Sequence, residues 1–148
     1  MYETPPLEED LYFGGLPRLH VNVNTATVGG QIYALLEDCD GANCIHIGHA
    51  IMDLRYHAGG NDEQTWTPVF EEITALMEFF PMDVEVPAGH TIKLTLRSTG
   101  EDYLPSAAST LVTVVDAGST LQLDTFDPET REYYETVMCT AQICKDNF

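Results

Sequence analysis

The chain has 148 residues, of which 44% are hydrophobic, so it is long enough to form one domain around a single core. Its six basic and 24 acidic residues give a formal net charge of −18 and a pI of about 4.2. No apolar run approaches the roughly 20 residues that a membrane-spanning helix needs. The acidic, proline-bearing segment Met1–Asp10 is unlike a signal peptide. We therefore expect one folded domain with neither a signal peptide nor a membrane span.

The acidic residues are distributed along the whole chain, which is typical of a solvated surface. Such a surface repels phosphate backbones and anionic lipid headgroups, so we expect no nucleic acid and no membrane as a partner. Lysine is nearly absent, with only Lys93 and Lys145. A carboxylate-rich, lysine-poor surface suits a saline habitat, in which salt screens the self-repulsion. Drift within a protein family explains the same composition equally well.

The four cysteines form two C-x4-C pairs, Cys39/Cys44 and Cys139/Cys144. Each pair is a candidate local disulfide in an oxidising compartment, and this interpretation favours an extracellular location. Cys39 and Cys44 flank an Asp-Gly turn, so the adjoining strands would bring them face to face. Reduced thiols and a four-thiolate zinc site stay open as alternatives, although zinc ligands usually follow a C-x2-C spacing.

Alternation of apolar and polar residues, which is typical of half-buried strands, recurs through the chain. Turn-forming residues separate the alternating runs, with a hairpin turn at 38–43 and a further turn at 116–118. Prolines bracket the short run 82–86, which we predict to be an edge strand or an extended linker. In chain order the predicted strands are residues 19–24, 31–36, 45–55, 82–86, 90–98, 111–115 and 121–123.

The segment 73–80 fits two templates. Ile73, Leu76 and Phe80 fall at helical spacing, whereas Ile73, Ala75 and Met77 fit the alternation of a strand. The sequence pattern alone leaves this segment undecided. About eight short strands with turns between them nevertheless predict an all-β sandwich or barrel. A parallel α/β fold is excluded, because no helix of crossover length separates the strands.

Five motifs in order resemble the C-terminal domain of the Xaa-Pro dipeptidyl-peptidase and CocE-type serine hydrolases. The resemblance covers about residues 6–123, and the most specific motif is Pro87-Ala88-Gly89-His90 with the strand that follows it. Asp124 departs from the family pattern, since proline is usual there, and the tail 125–148 has no counterpart. The motifs are GGLPRLHV at 14–21, ALLEDCDG at 34–41, IGHAIMDLRY at 47–56, PAGHTIKL at 87–94 and STLQL at 119–123.

The resemblance implies an all-β jelly-roll β-sandwich of the galactose-binding-domain-like type. Residues 1–124 would form this domain, with 1–14 as a lead-in segment, and 125–148 would be an extension packed on it or trailing from it. In such enzymes the domain packs behind an α/β-hydrolase domain that carries the Ser-Asp-His triad and a helical cap. The partner implied is therefore the catalytic domain of the same parent protein, and a homo-oligomer stays open.

We expect no catalytic residue, no cofactor and no metal in this chain. The nucleophile elbow G-x-S-x-G is absent, and the family's triad histidine precedes this domain, so none of the five histidines inherits that role. The run Asp38-x-Asp40-Gly41 begins like a calcium loop. The rest of the ligand spacing fails, and we interpret the run as a turn.

Aromatic residues flank a glycine-rich loop, with Tyr56 and His57 before it and Trp66 after it. These three residues are the candidate cleft or interface loop, where rings could stack on a ligand or line a substrate cleft. A single tryptophan makes a poor stacking platform. We therefore favour the alternative that Trp66 pins the loop onto the core or onto a neighbouring domain.

The sequence predicts a non-catalytic accessory domain that stabilises a serine hydrolase and shapes its active-site mouth. The parent would release N-terminal dipeptides or cleave esters or amides through an acyl-serine intermediate. The alternative is a free-standing carbohydrate- or ligand-binding β-sandwich module. Exposed aromatics around one cleft would favour the module, and an apolar face left bare would favour the accessory domain.

The charge predicts that stability rises with salt. Mutual repulsion of the acidic residues is strongest at low ionic strength and weakens as sodium chloride screens it. We expect the thermal midpoint to rise by several degrees between dilute buffer and molar sodium chloride. A midpoint that stays flat or falls over this range contradicts the prediction.

Overall fold

The computed structural model describes residues 1–57, 67–100, 103–104, 111–130 and 133–140, the last range by its backbone alone. Over these ranges the chain is built of strands and one 3-10 helix, Leu54–Tyr56, between β4 and β5. None of the described helical residues forms a helix long and apolar enough to cross a membrane. The strands are β1 Tyr2–Glu3, β2 Leu11–Thr25, β3 Gln31–Asp40, β4 Asn43–Asp53, β5 Glu72–Glu78, β6 Met82–Val86, β7 Thr91–Arg97, β8 Val112–Phe126 and β9 Tyr133–Thr140.

The strands form two sheets, and within each sheet the paired strands are antiparallel. One sheet has the order β1-β7-β3-β4. The other has the order β5-β2-β8-β9, with β6 pairing the first residues of β2. This architecture confirms the predicted all-β sandwich class. The predicted edge strand at 82–86 is β6, which pairs with β2.

The core lies between the two sheets and is made by the apolar face of each strand. In β2, Leu19, Val21 and Val23 are at most 2% exposed, as their alternation predicts. Because the side-chain period of a strand is two, every second residue reaches the interior and the others face outward. The neighbouring strands contribute Ile32, Ala34, Leu36, Ile73, Ala75, Met77, Ile92, Leu94, Leu121 and Leu123.

The undecided segment is a strand, β5, rather than a helix. Its burial alternates without exception: Ile73, Ala75 and Met77 are buried, whereas Leu76 is 46% exposed. A helix would have placed Leu76 and Phe80 on the buried face, but Phe80 is 64% exposed. Pairing with β2 decides between the templates, because seven consecutive residues of β5 lie opposite residues 18–24.

The turn predicted at 116–118 is a bulge inside one long strand. β8 runs without a break from 112 to 126, and its register against β2 shifts between His20 and Asn22. Gly118 takes a φ of 77°, a conformation that glycine adopts without strain. Side chains close the bulge, since Ser119 Oγ donates to the carbonyl of Val115 at 2.7 Å and accepts from the amide of Asn22 at 2.9 Å. A turn signal within a strand therefore marks a bulge here.

A second bulge changes which residues share a face of β4. The register against β3 shifts between Leu36 and Glu37, so His49 lies opposite Leu35 but Ile45 lies opposite Asp38. A shift of one residue moves side chains to the other face of a strand. Ile45 and His49, which would share a face of a regular strand, therefore face opposite ways.

The ends of the described chain belong to the sheets. β1 pairs with β7, and Tyr2 donates a hydrogen bond from its hydroxyl group to Asp116 Oδ1 at 2.5 Å. Burial, with a smaller contribution from this bond, raises the pKa of the Tyr2 hydroxyl above its usual value. β8 continues through Asp124, and the backbone of β9 pairs with it. The division of the chain at residue 124 stays a prediction.

Two adjacent residues of β5 provide a matched test of the sandwich. Met77→Ala should lower the free energy of unfolding by about 2–5 kcal/mol, because it opens a cavity in the core. Leu76→Ala, on the outward face of the same strand, should change it by no more than about 0.5 kcal/mol. Denaturant unfolding of both variants measures the difference, and equal losses would contradict the strand assignment.

Candidate functional site

The described surface carries one group of mutually contacting aromatic and histidine side chains. The group lies on the outer face of the four-stranded sheet near its β4 edge, and we call it the outer-face cluster. Its position follows from the pairing of β3 with β4, which puts side chains facing away from the core in adjacent rows. The outer-face cluster consists of Tyr33, His46, His49, Phe80 and Tyr103.

His49 is the centre of the outer-face cluster. Its Nδ1 shares a hydrogen bond with His46 Nε2 at 3.3 Å, and its Nε2 shares one with the Tyr103 hydroxyl at 3.1 Å. The ring stacks on Tyr33 at a centroid distance of 5.5 Å and meets the edge of Phe80 at 5.6 Å. Both ring nitrogens are thus occupied, and the ring orientation is fixed from four directions.

The segment after β7 folds over Tyr33, which is only 6% exposed. A Cβ atom on Gly100 would lie 2.3 Å from the Tyr33 ring, so only glycine allows this close approach. The hydroxyl group of Thr99 donates to the carbonyl of Tyr103 at 3.0 Å. The covered side of the cluster therefore belongs to the fold, whereas its Phe80 side faces solvent.

Cationic side chains border the outer-face cluster. On β7, Arg97 lies opposite Tyr33 and is exposed, and Lys93 lies opposite Glu37. Lys93 Nζ is 3.3 Å from Glu37 Oε2. In a chain with a net charge of −18, this face collects two of the four described Lys and Arg side chains and two histidines.

The outer-face cluster offers two imidazoles and two phenols but no arrangement for nucleophilic catalysis. A serine hydrolase needs a hydroxyl nucleophile beside a histidine that a carboxylate orients. Within the ranges that the structure describes, Ser119 is buried in the β8 bulge, and no group of three or more His, Cys, Asp or Glu side chains could hold a metal ion. The cluster is suited to packing and hydrogen bonding.

The predicted cleft or interface loop is described in part. Tyr56 ends the 3-10 helix, and His57 follows it with Nδ1 2.8 Å from the carbonyl of Leu54. Asp53 caps the helix, and the hydrogen bond from the Arg55 side chain lowers the pKa of the Asp53 carboxyl group. Trp66 lies outside the described residues. The role of these three residues stays a prediction.

Of the two cysteine pairs, the structure describes Cys39/Cys44 in full and Cys139/Cys144 only in part. Cys39 and Cys44 lie opposite each other in the β3–β4 hairpin and are joined by a disulfide, with Cα atoms 4.0 Å apart. The backbone of Cys139 lies in β9 opposite Leu121, and its side chain is not described. Cys144 lies outside the described residues, so the second disulfide stays a prediction.

The calcium-like run forms a hairpin. Asp38 is in β3, where its Oδ1 lies 2.8 Å from His90 Nδ1 on the neighbouring segment. Asp40 ends the strand, and Gly41 takes the positive φ of 59° that the two-residue turn requires. One of the two acidic residues of the run thus pairs with an imidazole instead of pointing into the turn.

Sequence reasoning identified His49 as a strand histidine but missed the cluster around it. The spacing His46-x2-His49 puts the two rings on opposite faces of a regular strand. The bulge between them brings both to the outer face, and Phe80 and Tyr103 arrive from distant parts of the chain. No local signal could have joined these residues.

Comparison with known proteins places the chain in a family and a fold. The family model for the X-Pro dipeptidyl-peptidase C-terminal non-catalytic domain matches residues 1–135. No curated protein sequence matches the chain. The similarity to solved structures lies at 10–16% sequence identity, so it establishes the fold alone.

Several solved structures resemble the chain, and three of them illustrate the similarity. One is a CocE/NonD family hydrolase from Staphylococcus aureus, with a TM-score of 0.67 over 83% of this chain and 30% of that one, at 10% identity. An α-amino acid ester hydrolase has a TM-score of 0.64 over 93% of this chain and 25% of that one, at 16% identity. An aminopeptidase from a marine sediment Thaumarchaeota archaeon has a TM-score of 0.61 over 66% and 17%, also at 16% identity. This chain thus spans less than a third of the length of each of them.

The close approach of Gly100 to Tyr33 predicts a coupled destabilisation. Gly100→Ala forces the Tyr33 ring away and should cost about 1–3 kcal/mol of unfolding free energy by overpacking. In a Tyr33→Val background the same substitution should cost clearly less, because the clash is gone. A double-mutant cycle from denaturant unfolding measures the coupling, and additive costs would contradict the predicted clash.

Proposed function

The chain belongs to the X-Pro dipeptidyl-peptidase C-terminal non-catalytic domain family, and from this premise we propose that it serves as the accessory domain of a serine hydrolase. In this role it stabilises the α/β-hydrolase catalytic domain and contributes loops to the mouth of the active site. The observation that carries the proposal is the family match, which extends over residues 1–135 and so includes strands β1 to β8 and the start of β9. The similarity of the fold to parts of much longer hydrolases supports it.

The family model that matches the chain describes a non-catalytic domain. The reacting groups would then reside in the catalytic domain, where a serine forms an acyl intermediate. The named neighbours include an aminopeptidase and an α-amino acid ester hydrolase. We propose hydrolysis of a peptide, ester or amide bond as the reaction of the parent, with the substrate chosen by the catalytic domain, because one fold serves many chemistries.

We propose that the outer-face cluster is part of the surface that meets the catalytic domain. Phe80 is 64% exposed, and Leu104, next to Tyr103, is 90% exposed. Exposed apolar side chains of this kind are typical of interaction surfaces. The bordering Arg97 and Lys93 offer positive charge, so the surface fits an apolar patch edged by carboxylates on the partner. An acidic parent protein would supply such a partner.

In the alternative, a free-standing binding module, the rings of the outer-face cluster would bind a ligand instead of a partner domain. A sugar ring would need an exposed aromatic face to stack on. In the outer-face cluster, Tyr33 is covered and His49 is enclosed by its neighbours, which leaves Phe80 and His46 as its exposed rings. The cluster therefore supports docking better than ligand stacking.

The decisive experiment separates the chain from its catalytic domain. Alone, the chain should be inert toward chromogenic X-Pro amides and short-chain esters, because it lacks a nucleophile elbow. Mixed with the separately expressed α/β-hydrolase domain of its parent, it should bind and raise that domain's thermal midpoint. Turnover by the chain alone that a serine-directed inhibitor blocks would contradict the proposal, as would failure to bind.

Two matched variants locate the docking surface. Phe80→Asp should weaken binding to the catalytic domain at least about tenfold, because it places a charge in an apolar contact. Leu76→Asp, at an exposed position on the outer face of the other sheet, should leave binding unchanged. Equal effects of the two variants on binding would contradict this choice of surface.

A further inference from the structure

The hairpin that joins β3 to β4 presents its disulfide unequally to solvent. Cys39 is 1% exposed, whereas Cys44 and all of its neighbours from Asp40 to His46 are exposed. The two-residue turn brings these cysteines into register as the second-to-last pair of the hairpin ladder. Cys44 is therefore the half of the disulfide that lies on the solvent side, whereas Cys39 is the half that lies in the interior.

A cation stands beside the exposed sulfur. Lys93 Nζ, on the adjacent strand β7, lies 3.6 Å from Cys44 Sγ and 3.3 Å from Glu37 Oε2. The net charge of −18 repels anions from the chain as a whole, so this ammonium group provides a local attraction for an anionic reagent. A thiolate next to a lysine is also stabilised once it forms.

From these two observations we infer that Cys44 Sγ is a thiol-exchange site, at which small anionic thiols open the Cys39–Cys44 disulfide and modify Cys44. The inference does not depend on the proposed accessory function, because it concerns a hairpin that the structure describes completely.

The exchange balances without an external oxidant. The thiolate RS⁻ attacks Cys44 Sγ, an S–S bond forms between them, and the Cys39–Cys44 bond breaks. The electron pair of the broken bond stays on Cys39 Sγ, which takes a proton from water to become a buried thiol. A second RS⁻ attacks the mixed disulfide, releases RSSR and leaves Cys44 as a thiolate beside Lys93. Two thiols are then oxidised and one protein disulfide is reduced.

The domain should stay folded while this happens. β3 is held by ladders to β4 on one side and to β7 on the other, and both ladders extend well beyond the cysteine pair. A disulfide that closes so short a loop removes little entropy from the unfolded chain. The exposed tip of the hairpin is therefore the part that gains freedom when the bond opens.

The test uses the full chain under native conditions with three small thiols: anionic 2-mercaptoethanesulfonate, neutral 2-mercaptoethanol and cationic cysteamine. Free thiols are trapped with N-ethylmaleimide, and peptide mass spectrometry locates each adduct. We expect the mixed disulfide on Cys44 and the trapped thiol on Cys39, in excess of the reverse by at least about tenfold, since access selects the sulfur. Adducts mainly on Cys39, or none until the chain is unfolded in urea, would overturn the inference.

Variants of Lys93 test the role of its charge. Lys93→Gln should slow exchange with the anionic thiol severalfold relative to the neutral one, and Lys93→Arg should restore it. Arg97→Gln removes a cation from the same face of β7 and is the matched control, for which we expect no change. For each thiol, the exchange rate of a variant is divided by the rate of the wild-type chain, so differences in intrinsic reactivity between the three thiols cancel. If Lys93→Gln slows all three thiols equally, the role of the charge is refuted.

Lys93→Gln could slow the anionic thiol because the attraction of the ammonium group is lost or because Glu37, left without its partner, repels the thiol. The double variant Glu37→Gln/Lys93→Gln distinguishes these two causes. If the ammonium group attracts the reagent, the anionic thiol stays slow in the double variant. Recovery of the wild-type rate there would instead assign the effect to Glu37 and overturn the role given to Lys93.

Discussion

Strand β2 is the element on which the rest of the sandwich depends. It pairs with β8 along one edge and with both β6 and β5 along the other, while its inward residues lie at the centre of the core. On the second edge β6 pairs with residues 11–15 and β5 with residues 18–24, so the pairing is interrupted at residues 16 and 17. There Gly15 takes a φ of 82°, and the buried Pro17 leaves its carbonyl to accept from the amide of Phe79 at 3.0 Å. The interruption lets β5 and β6 lie end to end beside β2.

Two bulges give the surface of the sandwich its individual features. The bulge in β8 is filled by its own side chains and by Asn22, and it also receives the hydroxyl group of Tyr2 from the first strand. The bulge between β3 and β4 turns His46 and His49 to one face, where their rings touch. Bulges re-aim side chains without disturbing the ladder on either side. The core can therefore keep a regular pattern while the outer face acquires a specific one.

The charge distribution gives the outer face of the four-stranded sheet a distinct character. The chain has 24 acidic and only six basic residues, yet here Lys93, Arg97 and two histidines lie beside the exposed ring of Phe80. Exposed apolar groups and positive charge in one place suit contact with another acidic protein surface. The same lysine that contributes to this face stands over the exposed sulfur of the hairpin. The proposed docking and the proposed thiol exchange thus involve adjacent parts of one face.

The sequence by itself determined the all-β class, most of the buried faces and the family. The alternation of apolar and polar residues along a strand involves only neighbouring residues, and the family motifs follow one another along the chain. Leu19, Val21 and Val23 show this most clearly. Only the tertiary structure decided that 72–78 is a strand, that 116–118 is a bulge and that Ile45 and His49 face opposite ways. Each of these depends on the register against a partner strand that is distant in the chain. The outer-face cluster is hidden from the sequence for the same reason, since its rings come from three separate segments that meet only when the sheets pack.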